Sequence, residues 1–171
     1  ILQAIYEYQT MICNLTGMDI SNASMYDGAS ALAETCIMAA NITRRNEILI
    51  SKTIHPEYRE TVKTYCHFHN INLTEIDFTD GITSIENVKS KITEKTAAVI
   101  IQNPNFFGYL ENLKELGNIA HEKKALLVAC ITEPTSLGII KSPGELGADI
   151  IAGEGQSFGN PLNFGGPYLG I

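Results

Sequence analysis

The residues that could do chemistry stand mostly in loops that follow short apolar runs. Gly28-Ala29-Ser30 lies at the predicted start of a helix, where small residues leave backbone N–H groups free and the helix dipole favours an anion. The Ser30 hydroxyl could donate one more hydrogen bond to a phosphate. The same tripeptide also suits an ordinary tight helix entry, so alone it is a weak indication of an anion site.

A histidine and an asparagine follow two of the apolar runs. His55 opens residues 55–59 and could stack on a flat cofactor ring, or it could simply cap the next helix. Asn103 precedes a proline, which favours an extended backbone and lets the amide point into a cleft. Asparagine, proline and glycine together also build ordinary turns, so both interpretations stay open.

Glycine is concentrated near the end of the chain. Six of the 14 glycines fall between residues 153 and 170, where they allow the backbone to approach a ligand or another chain closely. The run is neither a dinucleotide-binding G-x-G-x-x-G motif nor a P-loop. It could also be a loop that needs glycine only for steric reasons.

Composition excludes several classes of function. The 171 residues are 44% hydrophobic and 18% charged, which is typical of a globular domain. A net charge of −7 without a basic stripe argues against nucleic acid as a partner. No apolar run approaches the ~20 residues that span a bilayer, no signal peptide is recognisable, and the four cysteines have no metal-ligand spacing. Both ends look cut from a longer chain.

Hydrophobic periodicity predicts alternating helices and strands. A helix should end at Gly17, and a capping box is expected at residues 83–86. Four further helices are predicted at about 26–41, 57–69, 85–92 and 113–120, and strands at 47–51, 73–76, 97–102, 125–129 and 149–152. The strands are continuously apolar, which predicts an α/β fold of three layers, with a mostly parallel sheet and helices on both faces. Ligands of such folds lie where the strands end, after residues 50, 101, 129 and 152.

Five segments in this order resemble one family. They are residues 26–31, 55–59, 103–108, 141–149 and 153–170. Together they resemble the P-proteins of the glycine cleavage system, and within that family the first, alpha subunit of the two-subunit glycine dehydrogenase (decarboxylating). The resemblance covers essentially the whole chain. It implies the large-domain fold of fold type I pyridoxal-phosphate enzymes, with residues 1–171 as a single domain from the centre of a longer chain.

The resemblance also implies an activity and its partners. The holoenzyme of the family decarboxylates glycine and transfers the aminomethyl group to the lipoyl arm of the H-protein. Pyridoxal phosphate is expected on a lysine of the paralogous second subunit, in a cytoplasmic α2β2 assembly.

The residues that would hold the cofactor here depart from that chemistry. Alignment on Pro161 with the catalytic paralogue puts Gln156 where the Schiff-base lysine would be, and an amide cannot form a Schiff base. The same alignment puts Cys130 in place of the pyridine's acidic partner, although one gap would shift that position to Glu133. We therefore expect a vestigial pocket, without catalytic residues or a covalent cofactor, outlined by Ser30, His55, Asn103, Cys130 and Gln156.

Two alternatives remain at this point. An autonomous pyridoxal-phosphate enzyme would need a lysine from elsewhere, and Lys141 is the nearest in sequence. A pure docking module for the lipoylated H-protein would need no cofactor at all.

Overall fold

Five short apolar segments pair in parallel to form the central sheet. The computed structural model describes all residues 1–171. The strands are β1 (Glu47–Ser51), β2 (Asn72–Ile76), β3 (Phe78–Thr79), β4 (Ile82–Thr83), β5 (Thr96–Gln102), β6 (Leu126–Ile131) and β7 (Ile150–Gly153). The helices are α1 (Leu2–Thr16), α2 (Gly28–Thr43), α3 (Pro56–Phe68), α4 (Ile85–Lys91) and α5 (Leu113–Glu122), with 3₁₀ turns at Pro134–Gly138 and Gln156–Phe158.

The sheet has the order β2-β1-β5-β6-β7, and all four of its pairings are parallel. Every residue of the central strand β5 is buried, as expected of a strand covered on both faces. Strands β3 and β4 form a separate antiparallel hairpin. The predicted parallel α/β sheet is therefore confirmed.

Alternate residues of each strand face opposite layers of helices. Ile100 and Cys130 belong to an 18-residue cluster with α2 and α3, whereas Val99 and Ala129 belong to a 14-residue cluster with α4 and α5. These two cores confirm the three-layer prediction, because neither face of the sheet is left uncovered. They also place the Cys130 side chain on the face occupied by α2.

The helix ends agree with the prediction at Gly17 and contradict the predicted capping box. Helix α1 stops at Gly17, which adopts the left-handed conformation as predicted, but it begins as early as Leu2. The expected capping box at 83–86 is wrong, because Ser84 rather than Thr83 caps α4 and accepts from the Asn87 N–H. The Thr83 hydroxyl instead lies within hydrogen-bond distance of Ser51 and Glu111, inside the protein.

The end of the chain returns to the edge of the sheet. Gly153 and Ile171 exchange two backbone hydrogen bonds, of 3.0 and 2.9 Å, and Gly170 bonds to Met25 just before α2. Strand β7, the start of α2 and residues 169–171 therefore converge at one point. None of the helices is both long and apolar enough to cross a bilayer.

Candidate functional site

The first turn of α2 faces the carboxyl end of β7. Asp27 caps this helix: one carboxylate oxygen accepts from the Ser30 N–H at 2.9 Å and the other from the Ser30 hydroxyl at 2.7 Å. The structure therefore places Ser30 at the predicted helix entry, but its hydroxyl donates to a neighbouring side chain. Both polar groups of this residue that could hold a phosphate are already engaged.

A second carboxylate lies on the same helix start. Glu154 Oε2 accepts from the Gly28 N–H at 3.0 Å. Its Oε1 accepts from the Gln156 N–H at 3.0 Å and from the Leu169 N–H at 2.8 Å. One half-buried side chain thus joins α2, the loop after β7 and the returning segment.

Tyr58 also belongs to this region, although its place in the site was not predicted. A Cβ built on Gly28 would collide with the Tyr58 hydroxyl, so that hydroxyl lies directly against the start of α2. Burial, with the nearby Cys130 and Glu154, raises the pKa of Tyr58 far above its usual value. The phenol is therefore neutral. The signal available in the sequence was its place in the segment 55–59, three residues after His55.

His55 caps helix α3, and its imidazole is not free to stack on a cofactor ring. The His55 Nδ1 accepts from the Glu57 N–H at 3.3 Å, and the backbone N–H of His55 donates to Gln102 Oε1 at 2.8 Å. The imidazole packs edge-on against Phe106, with ring centroids 5.1 Å apart. Gln102 is nearly fully buried at the end of β5 and so fixes the loop that carries His55.

Asn103 turns its side-chain oxygen towards its own loop. Asn103 Oδ1 accepts from the Glu111 N–H at 2.9 Å, and the peptide bond to Pro104 is cis. The side-chain oxygen of the neighbouring Asn105, which the sequence analysis did not predict as a site residue, accepts from the N–H groups of Phe107 and Tyr109. The two asparagines therefore shape the loop 103–112, which accords with the turn interpretation.

Cys130 lies beneath the site in β6. The thiol is fully buried, and burial raises its pKa, so it stays neutral. Glu133, the alternative acidic position, is exposed and caps the following 3₁₀ turn. A hydrogen bond from Ser157 and others from Thr135 hold the pKa of Glu133 below its usual value.

Gln156 begins the 3₁₀ turn directly after β7. Its N–H donates to Glu154, and its side-chain amide approaches the Pro161 carbonyl at 3.5 Å. Lys141, the last lysine of the chain, is exposed on the connection between the 3₁₀ turn Pro134–Gly138 and β7.

The five candidate residues lie around one edge of the sheet, but the larger clefts lie elsewhere. Clefts of about 490 and 420 Å³ lie beside β7, and another of about 420 Å³ lies between α1 and the loop 155–160. None of the three is lined by any of the five candidates.

These residues do not fit a covalently held pyridoxal phosphate. The position after β7 offers an amide, the pyridine's partner would be a neutral thiol, and two carboxylates hold the helix start that would bind phosphate. No group of three or more metal-ligating side chains is present either.

Comparison with protein families and curated sequences gives a consistent result. The family model described as "Glycine cleavage system P-protein" matches residues 1–171. The probable glycine dehydrogenase (decarboxylating) subunit 1 of Desulforamulus reducens is 57% identical over all 171 residues, and that of Carboxydothermus hydrogenoformans is 54% identical. The chain spans 38% of the length of each of these relatives.

Solved structures extend the comparison to the fold. A crystal structure of glycine decarboxylase (P-protein) of the glycine cleavage system, in inhibitor-bound form, superposes with a TM-score of 0.93 at 46% identity. That match covers 99% of this chain and 38% of the other. A NifS-like protein superposes with a TM-score of 0.75 at 15% identity, covering 97% of this chain and 46% of that protein, which shows a shared fold only.

Proposed function

The chain belongs to the glycine cleavage system P-protein family, and on that premise we propose that it is part of the non-catalytic first subunit of a two-subunit glycine decarboxylase. The complete enzyme then decarboxylates glycine and passes the aminomethyl group to the lipoyl arm of the H-protein. Pyridoxal phosphate is carried by a lysine of the paralogous second subunit, in an α2β2 assembly in the cytoplasm. Residues 1–171 form one domain of the longer first subunit.

One observation carries the proposal. The position after β7 holds Gln156, whose amide cannot condense with an aldehyde, and no lysine occurs between residues 142 and 171. Two further features support it, since Cys130 is buried and neutral and the start of α2 is bound by Asp27 and Glu154. The role left to this chain is to dock on the catalytic subunit and to shape or seal the active-site channel. The five residues of the vestigial pocket serve that scaffold rather than a chemical step.

The test combines the full-length first subunit with a lysine-bearing second subunit. Glycine-dependent release of CO₂, with lipoylated H-protein present, is expected from the mixture and from neither subunit with H-protein alone. Borohydride reduction of the loaded complex, followed by peptide mapping, should place the phosphopyridoxyl group on the second subunit only.

Lys141→Ala is the matched variant. The lysine is exposed and forms no ion pair, so its removal should leave the activity of the mixture unchanged. A phosphopyridoxyl adduct on Lys141, or turnover by the first subunit without its partner, would contradict the proposal and favour an autonomous enzyme.

A further inference from the structure

The backbone N–H at the start of α2 is bound by a carboxylate of the protein itself. Glu154 stands 126 residues after Gly28 in sequence, yet its carboxylate accepts the N–H of the first helical residue at 3.0 Å. The same carboxylate accepts two more backbone N–H groups, from Gln156 and Leu169, at 3.0 and 2.8 Å. Three backbone donors from three segments therefore converge on one side chain.

This arrangement has the donor geometry of an anion site. The first turn of a helix leaves N–H groups without intrahelical partners and carries a partial positive charge. Donors from two other segments add to it, and together they would suit a phosphate group. Here the Glu154 carboxylate occupies the position of the phosphate, so these donors are satisfied without a bound ligand.

The space around the helix start is filled as well. At Gly28 an added Cβ would lie 2.7 Å from the Glu154 nitrogen and closer still to the Tyr58 hydroxyl. Because Glu154 already accepts the Gly28 N–H, a phosphate ester that bound this donor would have to displace the Glu154 carboxylate. It would also meet the second carboxylate, of Asp27, whose negative charge repels a phosphate dianion.

We propose that Glu154 is a built-in substitute for a ligand anion: it occupies the start of α2, holds the loop 153–156 and residues 169–171 against that helix, and excludes phosphate esters from the pocket. The proposed function enters only in naming the ester that is excluded, which is pyridoxal phosphate. The presence of Glu154 thus complements the absence of the lysine. Without the lysine no Schiff base can form, and with Glu154 in place the phosphate site is filled.

The decisive variant is Glu154→Ala in the full-length first subunit. In this variant the N–H groups of Gly28, Gln156 and Leu169 lose their acceptor and become available to inorganic phosphate. Calorimetric titration should show phosphate binding to the variant about tenfold or more tighter than to the wild type, which is equivalent to one charge-assisted hydrogen bond. Thermal unfolding should give the same answer, because phosphate should raise the lowered melting temperature of the variant and leave that of the wild type unchanged.

Glu133→Ala is the matched control. This carboxylate follows the neighbouring strand β6 and accepts from Thr135 and Ser157, but not from α2. Its removal should create no phosphate site. Glu154→Gln supplies a second variant of nearly the same shape, in which one acceptor oxygen remains but the negative charge is lost. Phosphate should bind it more tightly than the wild type and more weakly than the alanine variant.

Two results would overturn the inference. One is phosphate binding by the wild type that equals binding by both Glu154 variants. The other is folded Glu154 variants that gain no phosphate affinity and no thermal stabilisation. Pyridoxal phosphate with borohydride separates this failure from that of the proposed function, because a stoichiometric adduct at a single lysine of the wild-type subunit would contradict the non-catalytic role whatever phosphate does.

Discussion

At the residue scale, Gly28 shows how closely the site is packed. Alanine normally suits a helix better than glycine by about 1 kcal/mol. At Gly28, however, the added methyl would press on the Tyr58 hydroxyl and on the backbone of Gly153 and Glu154. Since overpacking costs about 1–3 kcal/mol, we expect Gly28→Ala to lower the free energy of unfolding of the full-length subunit by about that amount.

Gly138→Ala is the control for this prediction. A Cβ at Gly138 would meet nothing within 4 Å, so the same chemical change should alter stability by less than about 0.5 kcal/mol. Denaturant titrations of the two variants measure the difference. Equal effects at the two positions would show that close packing against Tyr58, Gly153 and Glu154 does not restrict position 28.

The sequence predicted the local positions of Ser30 and His55 but not their contacts. Ser30 and His55 were both placed at helix starts, because small residues and a strand-following histidine before proline are local signals. The bond between Gly28 and Glu154 spans 126 residues, and no local pattern indicates which carboxylate will reach a distant helix. Whether the five candidate residues share a functional role stays a prediction.

At the scale of elements, long apolar segments were predicted well and short ones were missed. Strand β1 was predicted with its observed bounds, whereas β6 runs two residues beyond its predicted end. The hairpin β3–β4 has two residues in each strand, which is too short for any periodicity. Thr83 failed as a cap because a buried carboxylate, Glu111, engages its hydroxyl.

Glu111 should be the residue on which the loop 103–112 depends. It is 6% exposed, and its Oε1 accepts from the hydroxyls of Thr53 and Thr83 and from the side-chain amide of Asn105. The Thr83 N–H donates to the same carboxylate. Each buried donor left without an acceptor costs about 1–3 kcal/mol. We therefore expect Glu111→Ala to destabilise the protein by at least that amount.

Hydrogen exchange localises the effect. The amides of Thr83, Phe107 and Tyr109 should exchange faster in Glu111→Ala. Thr83 loses its acceptor, and Asn105, which orders the other two, keeps only the Gly81 carbonyl as an acceptor for its side-chain amide. The exposed Glu122 of α5 forms no side-chain hydrogen bond or ion pair, so Glu122→Ala should leave these rates unchanged. Unaltered exchange in Glu111→Ala would mean that the loop is ordered by its backbone bonds alone.

At the scale of the whole molecule, the cysteines report whether helix α2 and the sheet unfold together. Cys36 and Cys130 are fully buried in the same cluster, one on α2 and one on β6, whereas Cys13 on α1 is only half-buried. Burial raises the pKa of Cys130, and contact with Cys66 together with burial raises that of Cys36. Since the thiolate is the reactive form, both thiols are doubly protected in the native state.

We therefore expect iodoacetamide to label Cys13 under native conditions and to leave Cys36 and Cys130 unmodified. As denaturant is added, Cys36 and Cys130 should become reactive together, with the dependence on denaturant of global unfolding, because helix α2 and the sheet share one core. Peptide mapping of the full-length subunit after timed labelling measures each site. If Cys36 reacted at lower denaturant than Cys130, α2 would separate from the sheet as an independent unit, and the convergence of α2, β7 and residues 169–171 on Glu154 would not hold the molecule together.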